Sequence, residues 1–336
     1  MEAGLWFWIA FLAFTAALLA LDLGVLHRRD HVIRVREALL LSLFYIALAL
    51  AFAAILFIWR GEQAGLEFLT GYLIEKSLSI DNIFVFVLTF TFFSVPPQYQ
   101  HRVLFYGVIG AIVMRGILIL LGVQLIHSFA WVAVVFGAFL IFTGIKMLWM
   151  ANAQADVENN VVVRVLQKRI RIVKEYAGHH FFVRRDGLLF ATPLFVVLVL
   201  IEFTDLVFAV DSIPAILAIS QDPFIIFTAN VFAILGLRAL YFALADIVPR
   251  FVYLKYGLSL ILVMIGGKMI ANYFYGGKFI PTHWALLATA VLISGSIALS
   301  LLRTRKGVAP QPLRTGWIPG SPAAPATEER PKRDAE

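Results

Sequence analysis

Apolar stretches of about 20 residues follow one another along almost the whole chain, and this pattern constrains the fold more than any other feature. Hydrophobic residues make up 61% of the 336 positions, charged residues only 15%, and the mean hydropathy is +0.88. Because a helix needs about 20 apolar residues to cross a bilayer, we predict an all-α polytopic membrane protein with about nine spans. The predicted spans are residues 4–26, 38–59, 66–93, 103–126, 129–150, 188–219, 224–247, 252–274 and 283–302.

The lysines and arginines are distributed asymmetrically between the connections of these spans. Of the 28 Lys and Arg residues, 21 fall in alternate connections and the tail, whereas only Arg60 and Lys278 fall in the other connections. Because basic residues accumulate in cytoplasmic loops, the distribution predicts an N-terminus outside and a C-terminus inside. The same basic segments would face anionic lipid, so the net charge of +7 needs no nucleic-acid partner.

We predict a single transmembrane domain over residues 1–302, with a basic cytoplasmic loop at about 151–187. Within this loop, the basic segment Val161–Val173 fits either a helix on the membrane surface or a solvated connector. The tail, residues 303–336, has too little apolar content to pack, so we expect it to be disordered in the cytoplasm. Cysteine is absent, which excludes disulfides and thiolate ligands within this chain.

In two of the apolar stretches an acidic residue stands six positions before an aspartate. The first motif runs from Glu75 to Asp81-Asn82 and the second from Asp205 to Asp211-Ser212. Intramembrane carboxylates are costly, so a functional role is the default interpretation. The duplication indicates one site that is assembled from two halves of the chain.

The two motifs belong to a longer internal repeat. The alignment pairs Glu75 with Asp205, Asp81 with Asp211, Asn82 with Ser212, Arg115 with Arg238 and Lys146 with Lys268. Each copy contains three predicted spans, so the copies, at about 66–150 and 188–274, must be inverted relative to each other. Inverted repeats of this kind hold the substrate of many transporters near the membrane midplane, at the interface of the repeats.

Helix geometry bears on whether the two acids of one motif can act together. Six residues along a regular helix place Glu75 and Asp81 about 120° apart and about 9 Å apart along the axis, so a straight helix would not direct both to one ion. Pro214 follows Asp211 closely and removes a backbone donor. We therefore predict an interrupted helix at each motif, with carbonyl oxygens exposed as further ligands.

The side chains of the two motifs are hard oxygen ligands, which suit Mn²⁺, Mg²⁺ or Ca²⁺. The candidate metal ligands are Glu75, Asp81, Asn82, Glu202, Asp205, Asp211 and Ser212. The candidate supporting residues are Ser77, Ser79, Thr204, Arg115, Arg238, Lys146 and Lys268. If both arginines approach four carboxylates, a divalent ion brings the local charge to zero, which favours exchange of the ion for protons.

Other interpretations of the same residues stay open. The acids could form buried ion pairs with the arginines and lysines that only set the helix packing. Lys146 and Lys268 could equally mark helix ends and extend to the interface. The whole chain could be an accessory membrane protein that helps other proteins insert or acquire metal. An intramembrane hydrolase is disfavoured, because neither an HExxH nor a GxGD motif occurs.

The segment from Glu67 to Phe86, together with Gln100–Phe105 and Ile201–Ala215, resembles the TerC family of bacterial integral membrane proteins, and the Alx-type branch most closely. The similarity extends from Leu21-Asp-Leu-Gly24 to about residue 305. The resemblance implies export of Mn²⁺ across the bacterial inner membrane, with Glu75, Asp81, Asp205 and Asp211 along the ion pathway. The family name refers to tellurite resistance, but a carboxylate-rich site would serve an oxyanion poorly.

The resulting expectation is a multi-pass inner-membrane exporter of divalent cations, with Mn²⁺ as the preferred ion and Ca²⁺ as an alternative. We expect no enzymatic activity and no resident cofactor. The expected partners are the transported cation and the lipid bilayer, with homo-oligomers or other membrane proteins as further candidates and no nucleic acid.

Overall fold

A bundle of long apolar helices makes up most of the computed structural model, which describes residues 4–24, 35–149, 161–173, 175–185, 187–245, 253–275 and 281–304. The elements are α1 (Leu5–Gly24), α2 (Val35–Arg60), α3 (Glu62–Phe92), α4 (Pro97–Ser128), α5 (Val132–Trp149), α6 (Val161–Arg169), β1 (Phe182–Arg185), β2 (Leu188–Ala191), α7 (Pro193–Leu217), α8 (Pro223–Leu235), α9 (Leu237–Leu244), α10 (Leu254–Tyr275) and α11 (Thr282–Thr304). Most of the predicted disordered tail lies outside the described residues.

The prediction of an all-α polytopic membrane protein is confirmed. Among the described residues, seven helical units are long and apolar enough to cross a membrane: α2, α4, α5, α7, the pair α8 and α9, α10, and α11. In α1 the apolar part, Leu5–Leu21, is shorter. Helix α3 has 31 residues, about 46 Å, but carries the charged residues of the first acidic motif. The number of spans and their orientation stay predictions.

The two acidic helices are continuous, so the predicted interruption at each motif is wrong. Helix α3 runs unbroken from Glu62 to Phe92, and α7 runs unbroken from Pro193 to Leu217. Pro214 removes one backbone donor three residues before the end of α7, but the helix continues through it to Leu217. A break occurs instead at Gly236, between α8 and α9, inside the single span predicted at 224–247.

Helices α5 and α10 cross at very short range and run in opposite directions. A Cβ atom added to Gly137 would lie 2.8 Å from the backbone oxygen of Gly266, and one added to Gly144 would lie 2.8 Å from that of Ser259. From Gly137 to Gly144 along α5, the contact in α10 moves back from Gly266 to Ser259, so the two helices are antiparallel. The repeat alignment exchanges these two contacts, since it matches Gly137 with Ser259 and Gly144 with Gly266. The inverted relation of the two repeats is therefore present in the packing.

The remaining contacts between the repeats follow the same two-fold relation. Helix α4 packs along α7, and its repeat counterpart α8 packs along α3. Helices α3 and α7 cross antiparallel at the centre: Gly71 lies against Ile216, and Asn82 against Asp205. The acidic motifs of both copies are thereby brought to one interface, with α2 and α11 packed outside it.

The predicted basic loop contains structure that the sequence interpretation missed. The α6 helix was one of the two open alternatives for residues 161–173, whereas the antiparallel hairpin of β1 and β2 was not predicted. The span predicted from residue 188 therefore begins as strand β2, and its helix starts only at Pro193. Tyr176 donates a 2.7 Å hydrogen bond to the carbonyl of Phe93, just after α3. Residues 151–160, 174 and 186 lie outside the described part of this loop.

Candidate functional site at the interface of the repeats

Three charged side chains meet in the interior of the bundle. Asp205 lies at the centre of α7, 12 residues from either end, and Glu75 and Arg115 lie in the middle thirds of α3 and α4. Their exposed fractions are 4%, 0% and 1%, respectively. Charges buried this deeply need partners, because desolvation of each one costs several kcal/mol.

Arg115 is the partner shared by both acids. Its Nε and Nη2 atoms donate to Asp205 Oδ2 and Oδ1 at 3.0 and 2.7 Å, which is a bidentate pair. Its Nη1 atom forms an ion pair with Glu75 Oε1 and lies 3.4 Å from Ser212 Oγ. The guanidinium therefore lies between one carboxylate from each repeat.

Asn82 completes this group, which we call the central cluster: Glu75, Asn82, Arg115, Asp205 and Ser212. The Asn82 side chain is buried, and its Nδ2 donates to Asp205 Oδ1 at 3.0 Å. Its Oδ1 is buried and accepts no hydrogen bond from the described residues. A buried acceptor without a donor is unusual in a folded protein, and a water or a cation is a suitable partner for it.

The central cluster has the two-fold symmetry of the repeats, except at its arginine. The alignment exchanges Glu75 with Asp205 and Asn82 with Ser212, so all four ligand-type residues are paired by symmetry. Arg115 has its counterpart in Arg238, which is buried in the wall of a neighbouring cavity. Two carboxylates and one guanidinium leave the cluster with one excess negative charge.

The second acids of the two motifs are not part of this cluster. Asp211 accepts a 3.3 Å hydrogen bond from Thr143 Oγ1 of α5, and the charge of Lys146 acts on it. Asp81 interacts electrostatically with Lys255 at the start of α10. Because α3 and α7 are unbroken, residues six positions apart face different neighbours, as the helix geometry requires.

Glu202 lies one helical turn before Asp205, with its carboxylate against α4. A Cβ atom on Gly110 would lie 2.1 Å from Glu202 Oε1, so the absence of a side chain at Gly110 makes room for this carboxylate. Gly107 is also near it, at 4.0 Å. Glu202 is half-buried and adds negative charge beside Asp205.

The predicted supporting residues have separate roles. The hydroxyls of Ser77, Ser79 and Thr204 donate to the carbonyls four residues earlier in their own helices, so these donors do not face the central cluster. Lys146 is exposed, which fits a side chain that extends to the interface, whereas its repeat counterpart Lys268 is buried and has a partner.

Lys76 is a residue whose position the sequence interpretation did not use. Its Nζ lies 3.4 Å from the carbonyl oxygen of Ala233, and a Cβ atom on Gly236 would lie 2.6 Å from it. The ammonium group thus lies at the C-terminal end of α8, where carbonyls are unpaired and the helix dipole is negative. Gly236 inside an apolar run was the sequence signal for this break.

A cavity of about 10 Å³ adjoins Asp205 on the side of the bundle that holds Gly107 and Ala111. This volume suffices for about one water-sized guest. Its lining residues are Phe86, Leu104, Gly107, Val108, Ala111, Ile201, Asp205, Ile234, Leu237 and Arg238. Within the described part of the chain, no three His, Cys, Asp or Glu side chains are close enough to hold a metal ion together. The arrangement thus contains one mixed carboxylate, amide and hydroxyl cluster rather than a four-carboxylate site.

Comparison with known proteins identifies the family. The model of the "Integral membrane protein TerC family" matches residues 60–307, which is most of the chain. The chain belongs to the TerC family. The match covers both acidic motifs, the central cluster and the cavity. No solved structure matches the chain.

Several bacterial relatives of this TerC protein cover most of its length. The "Uncharacterized membrane protein STKORF319" of Myxococcus xanthus is 47% identical over 298 residues, 89% of this chain and 92% of its own. A protein of Escherichia coli K12 named "Putative membrane-bound redox modulator Alx" is 48% identical over 277 residues, 80% of this chain and 86% of its own. A protein of the same name in Salmonella typhi is equally similar. These matches agree with the predicted Alx-type branch.

Proposed function

We propose that this TerC family protein exports a divalent cation, preferably Mn²⁺, across the bacterial inner membrane in exchange for protons. The observation that carries the proposal is the convergence of Glu75 and Asp205, one from each inverted repeat, in a buried cluster near mid-bundle. Asn82 and Ser212 add two neutral oxygens, and Asn82 Oδ1 has no donor among the described residues. Hard oxygen ligands of this kind suit Mn²⁺ and Mg²⁺.

The charge of the cluster supports coupling to protons. With Arg115 between them, the two carboxylates carry one uncompensated negative charge, which one proton neutralises. A divalent ion would neutralise both carboxylates by itself and would repel the guanidinium. Entry of the ion therefore requires that Arg115 move and that the proton leave, which links the two fluxes.

The competing interpretation is that the acids only fix the helix packing by pairing with Arg115. A buried ion pair is weak evidence for function or stability, because apolar or neutral replacements are often tolerated. The two interpretations predict different results for one variant. Joint replacement of Glu75→Gln, Arg115→Met and Asp205→Asn removes all three charges without leaving any of them unpaired.

The test is Mn²⁺ movement in proteoliposomes that contain the purified protein alone. We expect transport by the wild type and by Glu62→Gln, a control at an exposed acid on the same helix. Glu75→Gln, Asp205→Asn and the triple variant should be inactive, although the triple variant should be folded. Transport by the folded triple variant would contradict the proposal. Failure of the wild type to move Mn²⁺, Ca²⁺ or Mg²⁺ would favour the accessory role.

The absence of cysteine limits what the name of the Alx relatives can mean for this chain. Thiol–disulfide exchange requires cysteine thiolates, and this sequence has none. We propose that any redox effect of this protein follows from control of the manganese level, and we assign the chain no catalytic activity.

A further inference from the structure

The central cluster breaks the symmetry of the repeats at a single position. Glu75 and Asp205 are related by the repeat, as are Asn82 and Ser212, but only Arg115 is inserted between the carboxylates. Its repeat counterpart, Arg238, is not part of the central cluster and lines the same cavity as Asp205. One structure therefore shows two equivalent arginines in two different positions.

The side chains around the two arginines also differ. The cavity beside Arg238 is lined by Phe86, Leu104 and Ile201. Their repeat counterparts are Ile216, Phe227 and Gly71. A Cβ atom on Gly71 would lie 3.5 and 3.6 Å from Ala229 and Ile216, and one on Gly116 would lie 3.0 Å from Phe227. The cavity is thus found next to Arg238, whereas on the Arg115 side Ile216 contacts α3 at Gly71 and Phe227 contacts α4 at Gly116.

A guanidinium stays charged at every relevant pH and so acts as a cation tethered to the protein. It cannot share the two carboxylates with a divalent ion, because like charges a few ångströms apart in a buried site repel strongly. In inverted-repeat proteins, exchange of the conformations of the two repeats converts one orientation into the other.

From this geometry we propose that Arg115 and Arg238 are alternating internal cations. Arg115 occupies the empty cluster in the state observed, and Arg238 occupies it in the opposite state, where the cavity forms on the Arg115 side. Each arginine thereby stabilises one orientation of the metal-free protein. The proposal deepens the proposed transport function and rests on it for its biological meaning.

Single-cysteine reporters can test the exchange directly, because the chain has no cysteine of its own. Val108 lines the cavity, whereas its repeat counterpart, Val231, does not line it. Both are buried valines, so Val108→Cys and Val231→Cys are matched. The measurement is the rate of modification by a small methanethiosulfonate reagent, in membranes with EDTA.

We expect Val108→Cys to react faster than Val231→Cys when both arginines are present. Arg115→Gln should invert this preference, with a change of about tenfold or more in the ratio of the two rates, since about 1.4 kcal/mol corresponds to a factor of ten. Arg238→Gln should shift the ratio in the other direction. Arg115→Lys keeps the tethered charge and should restore most of the original ratio.

The proposal is overturned if Arg115→Gln leaves the ratio unchanged, or if both glutamine variants shift it in the same direction. If Arg115→Gln does not fold, Arg238→Gln decides alone, and an unchanged ratio in that variant refutes the exchange. No metal is present in this experiment. Its outcome is therefore independent of whether the proteoliposomes transport Mn²⁺.

Discussion

The close crossing of α5 and α10 predicts that neighbouring glycines in α10 differ sharply in their tolerance of alanine. A Cβ atom at Gly266 would lie 2.5 Å from the backbone oxygen of Gly137, 2.9 Å from Ile141 Cγ1 and 3.0 Å from Leu140 Cβ. At Gly267, the next residue of the same helix, no atom lies within 4 Å of an added Cβ. Because the nearest atom at Gly266 belongs to the backbone, a rotamer change cannot relieve the overlap.

The magnitude follows from two effects. Replacement of a helical glycine by alanine favours the helix by about 0.5–1 kcal/mol, and this gain is common to both variants. Overpacking by one methyl group costs about 1–3 kcal/mol, and only Gly266→Ala incurs it. The difference between the variants is therefore about 1–3 kcal/mol, with Gly266→Ala the less stable protein.

The assay is the thermal denaturation of detergent-purified variants, followed by the loss of the monodisperse peak in size-exclusion chromatography. We expect Gly266→Ala to denature several degrees below the wild type and Gly267→Ala at or slightly above it. Equal denaturation temperatures for the two variants would show that α5 and α10 do not approach as closely as described. The crossing of α5 and α10, which is the main contact that supports the inverted repeat, would then be in doubt.

Three further predictions address single contacts. Gly110→Ala should displace the Glu202 carboxylate and lower manganese tolerance in cells at unchanged protein abundance. Gly267→Ala, whose added Cβ meets nothing within 4 Å, should have little effect, and equal tolerance of the two variants would remove Glu202 from the pathway. Thr143→Val removes the donor to Asp211 but keeps the side-chain shape, so the free energy of unfolding in urea should fall by about 0.5–1.5 kcal/mol. Thr143→Ser should recover this loss, whereas a valine variant as stable as the wild type would argue against the hydrogen bond. Asp222 caps α8 through the amides of Phe224 and Ile225 and pairs with Arg60 at 2.7 Å. Asp222→Ala should therefore destabilise by about 0.5–2 kcal/mol and Asp222→Asn by less, as judged by thermal denaturation, and equal losses in the two variants would make the ion pair the larger contribution.

Much of the helical architecture could be predicted from the sequence, because bilayer thickness ties the length of an apolar run to one crossing. The inverted repeat was also accessible, since three crossings per copy must reverse the second copy, and the antiparallel contact of Gly137 with Gly266 agrees with this. The hairpin was missed although the dipeptide Asp186-Gly187 is a known turn signal, and Gly187 has a φ of +77° that favours glycine. The apolar strand after it leads directly into α7, so hydropathy alone does not separate the strand from the helix.

The arrangement of the site was harder to predict. The sequence identified the acids and the arginines, and helix geometry showed that Glu75 and Asp81 could not both face one ion from a straight helix. The prediction resolved this conflict by breaking the helix, whereas the structure keeps the helix and places Asp81 near Lys255. Which cation faces which acid depends on the rotation and height of packed helices. Neither quantity is encoded in the spacing of residues along one helix.

The segment before α7 has a mechanical consequence for the two acidic helices. Thr192, the residue before α7, bonds to the carbonyls of Phe181 and His180, while Tyr176 in the same segment bonds to the carbonyl that follows α3. These bonds form a non-covalent bridge between the end of one acidic helix and the beginning of the other. Sliding of α3 past α7 at this face must stretch or release the bridge, so the height of Glu75 relative to Asp205 is restrained from outside the bundle.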